Sequence, residues 1–153
     1  MALKVKRVVV VGGSSGIGLA TAKAIAEQGA AVVITGRSER KLRAAQEQVK
    51  GEVESRVADF TSEEQARGFF DQIGRFDHLV LTAGGSFGPG SFVEGDSASA
   101  RATFDGKFWA QYNAAKHGAR HINPGGSITF FSGIFSRRPG KGFSALAANN
   151  TPS

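Results

Sequence analysis

Lys6-Arg7-Val8-Val9-Val10-Val11 is a continuous β-branched run rather than an apolar/polar alternation. Such a run predicts a strand buried on both faces, as in a parallel sheet. It ends at Gly12-Gly13. From Ile17 to Gln28 the residues Ile17, Ala20, Ala24 and Ile25 recur near helical spacing, and Gly29 closes the segment. Ala31-Val32-Val33-Ile34-Thr35 predicts a second buried strand. Ser38 and Glu39 then open a charged helix running to Lys50, with Leu42, Ala45 and Val49 on one face.

The alternation continues. Val53 to Val57 predicts a third, weaker strand, after which Thr61 and Glu64 form an S/T-x-x-E capping box ahead of Ala66, Phe69, Phe70 and Ile73. His78-Leu79-Val80-Leu81-Thr82 is the fourth strand, and the Gly-, Ser- and Pro-rich stretch from Ala83 to Gly95 is a loop of a length usually tied to function. A long helix is predicted from about Ser97 to His121, with Phe104, Phe108, Tyr112 and Ala115 on one stripe, stopped by Pro124-Gly125-Gly126. Ser127 to Phe131 is the fifth strand, Arg137 to Gly140 a loop, and Ala145 to Asn150 a helix that barely starts. Five strands alternating with helices predict an α/β doubly wound parallel sheet with helices on both faces, and a ligand crevice beyond the carboxyl ends of the strands.

Composition narrows the classes. The 153 residues include no Cys and are 41% hydrophobic, which excludes disulfide scaffolds and thiolate zinc sites and argues against disorder. A single domain, 1–153, is expected. The formal charge of +6 is not one basic tail: residues 1–50 and 101–153 are basic and 51–100 acidic. The Lys and Arg residues sit at helical spacing among Glu and Gln, as on solvated faces, so no nucleic-acid partner is expected. The apolar run Val8–Val11 is too short to span a bilayer. No membrane segment and a cytoplasmic location are therefore expected.

Residues 12–18 read G-G-S-S-G-I-G, placing Gly12, Gly16 and Gly18 after a strand and at the opening of a helix. Such a turn lets a diphosphate approach bare backbone, while the helix N-terminus supplies free N–H groups and partial positive charge. An ordinary tight turn would also use glycine. The flanking strand and helix, however, stand where phosphate binding needs them. After the second strand comes Thr35-Gly36-Arg37-Ser38, with no carboxylate to bond a ribose 2′-hydroxyl. Arg37 offers a planar fork suited to a 2′-phosphate, and Arg40 and Lys41 add to the field. NADP(H) is expected in preference to NAD(H).

With these motifs the chain resembles the short-chain dehydrogenase/reductase family. The resemblance is carried by V-G-G-S-S-G-I-G at 11–18, A-D-F at 58–60 and L-T-A-G at 81–84, and covers nearly the whole chain. It implies a Rossmann-type NADP(H)-binding domain. Ser14, Ser15 and Ile17 then share the glycine turn with the pyrophosphate, while Asp59 beside Phe60 caps the adenine amino group. Ala83 and Gly84 line the adenosine side of the groove, and Ser38 stands beside Arg37. Asp59 as a cap on the following helix is compatible with that role. The implied activity is hydride transfer between a nicotinamide and a small-molecule carbonyl or alcohol substrate. A Tyr acts as acid/base, with a Lys four residues on, a Ser at the carbonyl and a helix Asn in the proton relay.

The chain departs from that tetrad. In the register that best matches the flanking residues, Gly133 stands at the Ser position, Leu146 at Tyr, Asn150 at Lys and Asp105 at Asn. Ser132, one residue off, and Asp105 are the candidate catalytic groups, with Ser144 near the Tyr position. Tyr112, the only Tyr, reads as a core or interface aromatic. His117 and His121 lie four apart near a helix end, but lack a third metal ligand and complement the helix dipole instead. No metal is expected. A family member continues through further helices and strands, so the domain is expected to be incomplete at its C-terminus, with the fifth strand as an edge, and self-association is expected through that edge and the aromatic long helix. The alternative class is a non-catalytic dinucleotide-binding module acting through binding and association.

Overall fold

The computed structural model describes residues 3, 5–82 and 93–131. Its sheet has five parallel strands: β1 (Arg7–Val11), β2 (Ala31–Gly36), β3 (Val53–Val57), β4 (Phe76–Leu81) and β5 (Ile122–Phe130), in the order β3-β2-β1-β4-β5. The order reverses between β1 and β4, which opens a crevice at the carboxyl ends of these strands. Val11 pairs with Thr35 on one side and Leu81 on the other, so three strands end level beneath that crevice.

The helices are α1 (Gly16–Glu27), α2 (Glu39–Gln48), α3 (Glu63–Ile73), α4 (Ser97–Phe104) and α5 (Ala110–Gly118). A π-helical turn, Asp105–Trp109, joins α4 to α5. The valine run of β1 is buried on both faces because helices cover both. Val9, Val11, Val33, Leu79 and Leu81 pack under α3 and α5 with Phe69, Phe70, Ala110 and Ala114. Val8, Val10, Val32 and Ile34 pack under α1 and α2 with Ala22, Ala26, Leu42 and Ala45. Phe60 joins Phe69 edge to face at 5.2 Å, tying the segment after β3 to the first layer.

Local chemistry sets the helix boundaries, in places not as the sequence pattern predicts. α2 starts at Ser38, whose Oγ accepts from the Lys41 N–H at 3.3 Å. α3 is capped by Ser62, which accepts from the Gln65 N–H at 3.3 Å, rather than by Thr61. Thr61 is occupied one step earlier, its hydroxyl and N–H both donating to Asp59 Oδ1 at 2.6 and 3.0 Å. In α1 the buried line is Gly18, Ala22 and Ala26; Ala20 and Ala24 are exposed and Ile17 is 63% exposed. Small residues win that face because the helix lies close on the sheet.

The long helix also differs from its predicted stripe. Its buried face is Ala110, Asn113, Ala114, His117 and Gly118, whereas Phe104, Phe108, Trp109 and Tyr112 are 37 to 48% exposed. The small face is imposed by contact: a Cβ on Gly118 would stand 2.8 Å from Leu79 Cδ2 and 2.9 Å from Phe70 Cζ.

β5 begins at Ile122, before Pro124-Gly125-Gly126 rather than after it. Phe76 pairs with Ile122 but His78 with Ser127, so residues 123–126 bulge past Asp77. Gly125 takes a φ of +83°, and a Cβ on Gly126 would collide with the Asp77 carbonyl oxygen. The glycines thus shape a bulge, while the helix ends in a 3₁₀ turn, Ala119–His121. Asp77 Oδ2 accepts the Arg7 N–H at 2.8 Å and Oδ1 accepts the Asn123 amide at 3.1 Å. These bonds, the Arg7 backbone first, hold the Asp77 carboxyl below its usual pKa.

Candidate dinucleotide site

The turn between β1 and α1 is built by backbone closeness. Gly12 has φ +85° and Gly16 φ +54°, a region that L side chains rarely adopt. The Gly12 and Gly13 N–H groups both donate to the Thr35 carbonyl, at 2.9 and 3.3 Å, holding the turn over the end of β2. A Cβ on Gly13 would stand 2.8 Å from the Ile34 side chain, and one on Gly18 2.5 Å from Thr82 Oγ1. Thr82 Oγ1 donates to the Val11 carbonyl at 2.8 Å and to that of Gly12 at 3.3 Å, so the end of β4 anchors the same turn.

The turn leaves the α1 N-terminus open. Ser15 occupies the N-cap with extended backbone but makes no capping side-chain bond, and the first turn carries no acid. By contrast, α2 and α3 have serine caps and acidic residues in their first turns. Free N–H groups with uncompensated positive potential suit an anion.

A cavity of about 530 Å³ lies over this end of the sheet. Gly12, Ser14, Ser15, Gly16, Ile17 and Gly18 line one side, and Arg37, Ser38 and Lys41 the end above β2. Ala58, Asp59, Phe60 and Thr61 form a third wall, and Gly106 and Ala110 of the long helix close it with Thr82. Among the described residues, neither Arg37 nor Lys41 takes part in an ion pair. The volume falls within the range of small-molecule sites. The donor set, with an open helix terminus and bare glycine backbone at one point and two cations at another, fits a dinucleotide.

Asp59 lies in this wall with one carboxylate oxygen holding Thr61, and its own N–H donates to Gln65 Oε1 at 3.0 Å. The carboxylate is therefore fixed by the turn it begins. Asp105 opens the π-helical turn, is exposed and does not line the cavity; its neighbour Gly106 does. Ala83, Gly84, Ser132, Gly133, Ser144, Leu146 and Asn150 lie outside the described residues. Gly36, Thr61, Thr82, Gly106 and Ala110 are lining residues that sequence reasoning did not assign to the site. A glycine inside a predicted helix, as at Gly106, was the available signal.

Two predicted polar residues have structural partners. His117, buried, bonds Glu63 Oε1 through Nε2 at 3.0 Å, and Lys116 reaches the same oxygen at 2.6 Å. These bonds, Lys116 first, lower the Glu63 pKa, and Glu63 raises that of Lys116. His121 Nε2 lies 3.5 Å from Asp71 and its ring stacks on Phe70 at 6.3 Å. Among the described residues no group of three or more His, Cys, Asp or Glu could hold a metal, and no helix is long and apolar enough to cross a membrane. Lys107, in the π-helical turn, has its pKa lowered by burial.

Comparison with known proteins decides the family, since the short chain dehydrogenase model matches residues 6–149. The chain belongs to the short-chain dehydrogenase/reductase family. It is 30% identical to a short-chain dehydrogenase/reductase of Gibberella fujikuroi over 139 residues, covering 81% of this chain and 52% of that protein. It is 32% identical over 123 residues to a 3-ketodihydrosphingosine reductase of Aspergillus fumigatus, covering 72% of this chain and 34% of the relative. A solved short-chain dehydrogenase/reductase from Mycobacterium ulcerans superposes with a TM-score of 0.90 at 28% identity, over 97% of this chain and 58% of that one. The chain thus spans about a third to three-fifths of the length of these relatives. The family is one of oxidoreductases whose members generally bind nicotinamide dinucleotides.

Proposed function

We propose that this chain binds NADP(H) in preference to NAD(H), with the pyrophosphate at the α1 N-terminus and the 2′-phosphate at Arg37. The observation that supports this reading most is the placement of Arg37 and Lys41 in one cavity with the glycine turn, with no carboxylate between Thr35 and Ser38 at the end of β2. Glu39, the nearest acid beyond, pairs with Arg43 at 2.7 Å. Ser14 and Ser15 hydroxyls and the first-turn N–H groups of α1 are the donors for the pyrophosphate. Asp59 is the acceptor for the adenine amino group, with Ala83 and Gly84 along the adenosine.

A bound nicotinamide would supply hydride chemistry with a small carbonyl or alcohol substrate. For the proton that accompanies it, the sequence offers Ser132, and Asp105 only if it turns inward from its exposed position, but neither the Tyr nor the Lys of the family, Leu146 and Asn150 standing in those positions. That departure favours a second reading, in which the chain acts chiefly through dinucleotide binding and association. The exposed aromatics Phe104, Phe108, Trp109 and Tyr112, in mutual ring contact at 5.0 to 6.1 Å, are the surface for that association in a homo-oligomer. Titration of NADPH and NADH against the purified chain tests the binding reading: NADPH binding at least tenfold tighter is expected, and equal affinities remove the assignment of Arg37.

A further inference from the structure

Asn113 is among the few buried polar residues of the core, 6% exposed on the face of α5 that covers the sheet. Its amide Nδ2 donates to the Phe60 carbonyl at 2.9 Å and lies 3.5 Å from that of Thr61. Those carbonyls belong to the turn between β3 and α3, which forms one wall of the cavity. One turn before Asn113, Ala110 of the same helix lines the cavity itself. One turn after it, His117 bonds Glu63, the first residue of α3.

The turn is short of regular-structure support. Ala58 N–H donates to the Gly36 carbonyl at 2.9 Å, and the Ser62 N–H closes on the Asp59 carbonyl at 3.1 Å. The Phe60 and Thr61 carbonyls have no strand partner across β3, so the side chain from α5 supplies one. A buried carbonyl left without a donor is costly, and a turn free to rotate its peptide planes would move the Asp59 carboxylate, which Thr61 holds at 2.6 Å.

We propose that Asn113 is a positioning residue for the adenine end of the cofactor site, setting the Asp59–Thr61 turn from the long helix. The inference rests on the dinucleotide reading above and adds to it a residue outside the cavity that governs affinity for one half of the ligand. Asn113 touches no ligand; it acts through the peptide carbonyls of Phe60 and Thr61. The nicotinamide half, which does not meet the Asp59–Thr61 turn in this reading, is independent of it.

The experiment compares two ligands on three forms of the full chain: the parent, Asn113→Asp, which keeps the shape but sets a carboxylate against the Phe60 carbonyl, and Asn113→Ser, which shortens the side chain without adding charge. NADPH and reduced nicotinamide mononucleotide, which lacks the adenosine, are titrated against each. The expected result is a roughly three- to tenfold weaker affinity for NADPH in both variants with the mononucleotide unchanged, the size set by one hydrogen bond. Lys116→Gln, which releases the exposed Lys116–Glu63 pair on the same helix, is expected to leave both affinities as in the parent. Equal weakening of both ligands, or no weakening of either, overturns the positioning role. If Asn113→Asp does not fold, the Asn113→Ser titrations decide alone. If the parent binds no NADPH, the dinucleotide reading fails and this inference with it, whereas a parent that binds and variants that match it overturn the inference alone.

Discussion

A Cβ added to Gly18 would collide with the carbonyl oxygen of Gly12, so the first turn of α1 and the end of β1 touch backbone to backbone. Gly18→Ala must therefore push the helix away from the glycine turn and from Thr82. Overpacking at a rigid backbone contact costs about 1 to 3 kcal/mol. In the proposed binding mode the same displacement would move the α1 N–H groups off the pyrophosphate. Thermal unfolding and NADPH titration should both report a loss. Gly68, inside α3, is the counterpart: nothing lies within 4 Å of its Cβ position, and its φ is not positive. Gly68→Ala should stabilise the chain by about 0.5 to 1 kcal/mol, with cofactor affinity unchanged.

Arg37→Asp should weaken NADPH while sparing or improving NADH. A charge-assisted contact to a phosphate is worth about 1.5 to 3 kcal/mol, roughly tenfold or more in affinity. The measurement is a paired titration of both cofactors. If the variant binds both as the parent does, Arg37 is a solvated residue at the start of α2.

Asp77 sets an acid limit on stability. Its carboxyl is held below the ordinary value of 3.8 by the Arg7 N–H and the Asn123 amide. A depressed carboxyl stabilises the fold at pH values above its unfolded pKa, and that contribution is lost as pH falls through the lower folded value. Asp77→Asn should cost about 1 kcal/mol near neutral pH, a charged acceptor being replaced by a neutral one at a partly solvated site. Urea unfolding across the acid range checks it, and the difference between parent and variant should shrink below about pH 4.

Self-association should run through the long helix. Trp109 is 44% exposed and meets Phe108 at 5.0 Å and Tyr112 at 5.4 Å, so it is the largest exposed ring of the aromatic face. Trp109→Glu should shift the chain toward monomer by tenfold or more in association constant, as expected for an aromatic anchor worth about 2 kcal/mol. Sedimentation at tens of micromolar measures it, and a parent that sediments as a monomer removes the idea.

The sheet was legible because both of its signals are local. The Val8–Val11 and Ala31–Thr35 runs are continuous, and the Gly12–Gly18 turn stands between them with its helix. Helix faces were less legible: the buried line of α1 is glycine and alanine, and in α5 such small residues share it with Asn113 and His117, chosen by backbone proximity rather than hydrophobicity, so the larger Ile17, Phe108 and Tyr112 misled the pattern. Thr61 and Ser62 are adjacent candidate caps, and only the Asp59 bond to Thr61 decides between them. Asn113 carried no signal at all, because its partners are carbonyls 53 and 52 residues away.

The last expectation is that this chain shows little family-type carbonyl reduction even when NADPH is bound. Leu146 has no proton to donate, Asn150 has no charge to depress a phenol pKa, and Gly133 has no hydroxyl to polarise a carbonyl. General acid/base assistance alone is typically worth about 10² to 10⁴ in rate, so its loss should be plain beside a relative with the full tetrad. The cavity wall offers no replacement among the described residues: Asp59 is bound to Thr61, and Asp105 is turned out of the lining while Gly106 faces it. Holding hydride donor and acceptor in register could still leave a slow reaction. The measurement is loss of reduced-nicotinamide absorbance with a panel of aldehydes, ketones and quinones. Robust turnover abolished by Ser132→Ala or Asp105→Ala would move the acid/base role to those residues and overturn the expectation.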